Sequence, residues 1–80
     1  MTFERVKKIV GTIARNKKKA GQLTLESNLI DDLEFDSIGF IELMIELEDE
    51  FDIELNTEEM SLDVLAQVSV LVNSIEAKLQ

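Results

Sequence analysis

The residues able to do covalent chemistry in this sequence are serines, threonines, lysines and carboxylates, because it contains no histidine and no cysteine. Lack of histidine removes the usual general base and the commonest metal ligand. Ser-His and Cys-His nucleophilic pairs are excluded, and so are disulfides and thiolate metal sites. The hydroxyl in the most marked position is Ser37, within Glu34-Phe35-Asp36-Ser37-Ile38-Gly39-Phe40-Ile41-Glu42. It stands between an acid and a run of large apolar residues, at the expected entrance to a hydrophobic and acidic helix. No suitable base is available to activate it as a nucleophile. It therefore reads either as a helix N-cap or as the acceptor of a group placed there by another enzyme. A helix N-terminus stabilises an attached negative phosphoryl group, and a helix end is accessible. A calcium loop over the same residues fails. With Gly39 at its sixth position, the fifth and twelfth fall on Ile38 and Ile45, where oxygen ligands are required.

The elements that must position this serine are helical. Phe3, Val6, Ile9, Val10 and Ile13 recur at spacings of three and four, giving one buried stripe with Thr2 as N-cap and an end near Arg15 or Asn16. Residues 16–36 follow as a long connection, held down by Leu23, Leu25, Leu29, Ile30 and Leu33. The second helix runs from about Ser37 to Phe51, capped by Asp36 or Ser37. Asn56 followed by Glu59 fits the capping box of a short third helix. Asp63 is the expected cap of a last helix carrying Val64, Leu65, Val68, Leu71, Val72, Ile75 and Leu79. The expectation is an all-α fold, a small four-helix bundle of three main helices and one short one. The long loop lies between helices one and two, and one domain spans residues 1–80.

On a helix turning about 100° per residue, the second helix has two apolar faces. Phe40, Leu43, Met44, Leu47 and Phe51 form a core stripe. Ile38, Ile41 and Ile45 form another, bordered by Glu42, Glu46 and Asp49. A single small bundle has no evident use for both, so the isoleucine row reads either as deeper burial or as a surface for docking partners.

The net charge is −9, with seven of the eight basic residues in positions 1–20 and fifteen acids without a Lys or Arg from Glu26 to Asp63. Such a surface repels nucleic acid; it reads either as a solubilising face, which charge alone favours, or as one suited to basic protein partners. Lys17, Lys18 and Lys19 are placed to favour the C-terminal end of the first helix. No apolar run reaches membrane-spanning length and the basic first twenty residues read as a core helix, so a cytoplasmic protein without membrane insertion is expected; a monomer is the expected state.

The run Asp36-Ser37-Ile38, followed by Glu42-Leu43 and then by Leu47-Glu48-Asp49-Glu50-Phe51-Asp52-Ile53-Glu54-Leu55, resembles the acyl carrier protein family. The likeness extends to Arg5-Val6-Lys7-Lys8-Ile9-Val10, to the long loop with Leu29 and Asp32-Leu33, and to the order of helices along the whole chain. It implies that Ser37, preceded by Asp36, carries a phosphopantetheine arm. The arm is donated by coenzyme A through a separate magnesium-dependent phosphopantetheinyl transferase. It further implies that the chain is not an enzyme. It holds acyl groups as thioesters and presents them to acyl-processing enzymes with basic docking surfaces. The residues that the resemblance assigns to docking are Ile38, Ile41, Glu42, Ile45, Glu48 and Asp49. The sequence departs from the family's pattern at Gly39, where fatty-acid carriers usually have an acid, and at Phe35, where a small residue is common. Fatty acid, polyketide and specialised lipid pathways stay open, as does an aminoacyl or peptidyl carrier role in nonribosomal synthesis. The contrasting reading is an unmodified acidic helical adaptor in which Ser37 is only a cap.

Overall fold

The computed structural model describes residues 2–55 and 61–79. Five helices occur among them: α1 (Thr2–Ile13), α2 (Lys17–Gly21), α3 (Ser37–Phe51), α4 (Leu62–Leu65) and α5 (Val68–Leu79). No strand occurs among the described residues, so the chain is an all-α bundle. α1 packs on α3 and α5, and α2 folds back on α1.

The core is built from one stripe of each long helix. Val6 and Val10 of α1 meet Phe40, Leu43, Met44, Leu47 and Phe51 of α3 and Val68, Leu71, Val72 and Ile75 of α5, all buried. The loop adds Leu23, Leu29, Leu33 and Phe35. No polar or charged side chain among the described residues is buried, so apolar burial alone drives closure of the bundle.

α1 begins with Thr2 inside the helix rather than flanking it, so the expected cap position falls on Met1, outside the described residues. Its last turn holds no basic residue of its own. The Lys17 ammonium instead reaches back, donating to the carbonyl oxygens of Gly11 at 2.7 Å and Thr12 at 2.9 Å. These carbonyls lack helical partners and carry the negative end of the helix dipole. The three lysines also begin a helix of their own. Asn16 caps α2, its Oδ1 accepting the Lys19 N–H at 3.0 Å, and Ala20 is buried beneath.

The long loop is held by its own hydrogen bonds. Asn28 Oδ1 accepts from the N–H groups of Ile30 and Asp31, both at 2.9 Å, and the Asn28 N–H donates to Asp32 Oδ2 at 2.7 Å. Glu34 takes a left-handed conformation, φ 59°, and the Phe35 N–H then reaches the Leu29 carbonyl at 3.0 Å. A second set of bonds ties the loop to the far end of the chain. Leu29 N–H donates to Ala66 O at 2.8 Å, Val68 N–H to Ser27 O at 3.1 Å and Ser69 N–H to Leu25 O at 3.0 Å.

This pairing corrects the sequence reading of the last helix. Asp63 does not cap it, and Val64 and Leu65 are not part of it. Asp63 lies in the first turn of α4, which Ser61 caps through its Oγ, and the long helix starts at Val68. The chain is bent at Ala66–Gln67 because the Ala66 carbonyl and the Val68 N–H on either side bond to residues 29 and 27 rather than continuing a helix. The expected capping pair Asn56 and Glu59 lies outside the described residues.

Candidate functional site

α3 begins where the sequence expects it, and its cap is Asp36. The Asp36 backbone is extended, φ −91° and ψ −179°, and its Oδ1 accepts the Gly39 N–H at 2.7 Å. Its carbonyl accepts the first helical bond, from the Phe40 N–H at 2.9 Å. Phe35 before the cap and Phe40 four residues after it are both buried, the two positions of a hydrophobic staple. Phe35 therefore has a structural use, fixing the angle at which the loop enters α3. Gly39 has one as well. A Cβ there would lie 3.1 Å from Asp36 Oδ1 and 3.7 Å from the Phe35 ring, so the missing side chain leaves room for the capping carboxylate.

Ser37 is thus the first helical residue and not the cap. It is exposed, and its hydroxyl makes no hydrogen bond with a described residue. The N–H groups of Ser37 and Ile38 have no acceptor among the described residues either. Orphan donors at a helix start, with the positive end of the dipole behind them, favour a negative group at this hydroxyl.

α3 presents the two apolar faces that its sequence spacing anticipates. The core stripe is buried, whereas Ile38 is 70%, Ile41 52% and Ile45 51% exposed. Glu42 and Asp49 stand exposed beside this row. Glu48, grouped with them from the sequence, is half-buried and accepts the Leu55 N–H through Oε2 at 2.9 Å. Its carboxylate tethers the segment that leaves α3. That segment turns at Asp52 in a left-handed conformation, and the Glu48 carbonyl accepts from the Asp52 N–H and from the Ile53 N–H at 3.1 Å.

Two arginines of the first fifteen residues reach the ends of α3, and nothing in the sequence announced either contact. Arg5 donates to Glu50 Oε2 from Nε at 3.2 Å and from Nη2 at 2.9 Å, and from Nη2 to the Glu50 carbonyl at 3.1 Å. Its guanidinium lies 4.2 Å from the centre of the Phe51 ring. At the other end Arg15 Nη2 is 3.8 Å from Asp36 Oδ2. Between Arg15 and the start of α3 runs a cleft of about 170 Å³, whose lining includes Ile13, Phe35, Ile38, Gly39 and Glu42.

The arrangement offers an accessible hydroxyl on a capped helix end, with no acid or base catalyst next to it among the described residues apart from carboxylates. No group of His, Cys, Asp and Glu that could hold a metal ion occurs among the described residues, and no described helix is long and apolar enough to cross a membrane. Comparison with known proteins gives the same direction. The family described as “Phosphopantetheine attachment site” matches residues 4–77. The chain is 40% identical over 77 residues to an acyl carrier protein of Clostridium acetobutylicum, covering 96% of this chain and 95% of that protein. With a family match over nearly its full length and a helix start that leaves one serine free, the chain belongs to the acyl carrier protein family, whose members bear a phosphopantetheine group and serve acyl-processing enzymes as carriers rather than catalysts.

Proposed function

We propose that Ser37 is the residue that receives the phosphopantetheine group, and that residues 1–80 act as one carrier domain, a cytoplasmic monomer of fatty acid, polyketide or related biosynthesis. The observation that carries this reading is the division of labour at the start of α3. Asp36 caps the helix, and Ser37 is left exposed with an uncommitted hydroxyl. When bound, the arm supplies a thiol that holds an acyl group as a thioester. The chain's own residues do the rest. The staple of Phe35 and Phe40 fixes the helix start, and the unpartnered N–H groups of Ser37 and Ile38 favour the phosphate's charge.

Ile38, Ile41 and Ile45 supply the apolar contact by which partners seat themselves beside Ser37, and Glu42 and Asp49 supply attraction to basic partner surfaces. Glu48 belongs to this set only in a secondary way, because its carboxylate is engaged with the Leu55 N–H.

Intact-mass measurement tests the reading. The purified chain is incubated with coenzyme A, magnesium and a phosphopantetheinyl transferase, and then with an acyl donor and an acyl-transfer enzyme. The expected result is a stepwise gain, first of one phosphopantetheine and then of the acyl group. A chain that takes no phosphopantetheine from several transferases is instead an acidic adaptor docking through the same isoleucine row.

A further inference from the structure

Attachment at Ser37 adds a phosphodiester, a single negative charge, to surroundings that are already acidic. The cleft beside Ser37 is lined by Glu34, Asp36 and Glu42, and one basic residue, Arg15, lines it as well. No Lys or Arg occurs between Glu26 and Asp63 to offer another cation from the neighbouring sequence.

Arg15 is placed for the purpose and is barely engaged. Its side chain is 92% exposed, and its contact with Asp36 Oδ2, at 3.8 Å, is beyond hydrogen-bond length. The other oxygen of Asp36 is committed to the Gly39 N–H. A guanidinium presents five donors in a planar fork that matches two phosphate oxygens. Asp36 and Ser37 are consecutive, with Cα atoms about 3.8 Å apart, so a long flexible side chain already beside the first needs only a small swing to reach a phosphate on the second.

The cleft between Arg15 and α3 has a size and lining that suit the part of the arm next to the phosphate, a compact, branched carbon unit that also bears a hydroxyl, because apolar side chains and the carboxylates of Glu34, Asp36 and Glu42 share the lining. It is an open cleft of about 170 Å³; a closed apolar cavity of roughly 150 Å³ holds a benzene molecule, so the volume alone is of the right order for such a unit. Ile13 and Ile38 line it, and Gly39 adds no side chain to fill it.

From this we infer that Arg15 is a positioning residue for the prosthetic group: it pairs with the phosphodiester on Ser37 and seats the proximal part of the arm in the cleft between the end of α1 and the start of α3. The inference rests on Ser37 being the attachment residue. The distal thiol stays outside the cleft, free to enter partner enzymes. The pairing is exposed and therefore weakens with salt.

The test compares unmodified and modified forms of the isotope-labelled chain by NMR, for the wild type, Arg15→Gln and Arg15→Lys. Arg15 is exposed, so the unmodified variants keep the amide spectrum of the folded wild type. On modification of the wild type, the Arg15 Nε–Hε signal and the signals of Ile13 and Ala14 shift, although these residues are far from Ser37 in sequence. The phosphorus signal of the arm moves in Arg15→Gln, is partly restored in Arg15→Lys, and the difference between wild type and Arg15→Gln shrinks in about 1 M salt, where the Debye length is near 3 Å. Full modification with unmoved Ile13, Ala14 and Arg15 signals, and with one phosphorus shift in all three proteins, overturns the proposal while leaving Ser37 as the attachment residue. A wild type that accepts no group at all overturns both.

Discussion

The Asp36 carboxylate accepts the Gly39 N–H at 2.7 Å, and this bond assigns the start of α3 to one residue and releases its neighbour. An aspartate and a serine in succession could each cap the helix after them. In the folded chain the aspartate does so, and Ser37 is left as an exposed first residue of the helix.

The two side chains can therefore be separated by mutation. Ser37→Ala removes the proposed attachment hydroxyl and is expected to change stability by no more than about 0.5 kcal/mol, as for surface sites without special contacts. Asp36→Ala removes the cap and is expected to cost about 0.5–2 kcal/mol, with Asp36→Asn restoring most of it. Denaturant titrations followed by helical circular dichroism measure all three. A loss for Ser37→Ala equal to that for Asp36→Ala makes the serine structural.

The two faces of α3 give a second pair. Leu47→Ala, at a fully buried site, is expected to cost about 2–5 kcal/mol. Ile41→Ala, at a site 52% exposed, is expected to stay within about 0.5 kcal/mol and to weaken transfer by partner enzymes through faster dissociation, with little dependence on salt. Surface plasmon resonance against an acyl-processing partner, beside the melting curves, reads both. Equal destabilisation by the two substitutions makes the isoleucine row core and removes the docking surface.

Charge variants divide Glu42 from Glu48. Glu42→Lys is expected to slow association with partners in a salt-sensitive way and to leave the melting temperature unlowered. Glu48→Ala deletes the acceptor of the Leu55 N–H and is expected to lower stability by about 0.5–1.5 kcal/mol. Association rates at two ionic strengths, paired with unfolding curves, distinguish the roles. A Glu48→Ala protein as stable as the wild type shows that the tether is without consequence.

Salt is expected to stabilise the fold. Fifteen acids with no basic residue among them from Glu26 to Asp63 repel one another. The ion pairs at Arg5–Glu50 and Arg15–Asp36 are exposed and contribute too little to offset that repulsion. Added sodium chloride therefore raises the melting temperature as it screens the acids. A melting temperature indifferent to salt indicates that the acids are too far apart to matter.

What the sequence made legible here was local. The bounds of α3 and its two stripes follow from spacing within fifteen residues, because apolar side chains at helical intervals declare which face is inward. The start of α5 was harder, because distant backbone decides it. Residues Val64 and Leu65 match the helical spacing of α5, yet the carbonyl of Ala66 bonds to Leu29 and the N–H of Val68 to Ser27. No pattern within residues 61–79 contains that information. Lys17 was legible in one of its two roles: its ammonium serves the end of α1 as the sequence placed it to do, whereas its backbone beginning α2 was not expected. The pairing of Arg5 with Glu50 spans 45 positions, and the approach of Arg15 to Asp36 depends on how the loop returns. At the candidate site, the motif around Ser37 was visible by resemblance. That Asp36 takes the cap, and that Gly39 makes room for it, is visible only in the folded chain.

Loading of this carrier at the hydroxyl of Ser37 is tested most directly by tandem mass spectrometry of the transferase-treated chain, because fragment ions locate the added group on one residue. The expected result is a single phosphopantetheine on Ser37, and no addition in Ser37→Ala under the same conditions. A group found on any other serine or threonine, or a Ser37→Ala chain modified as fully as the wild type, contradicts the assignment.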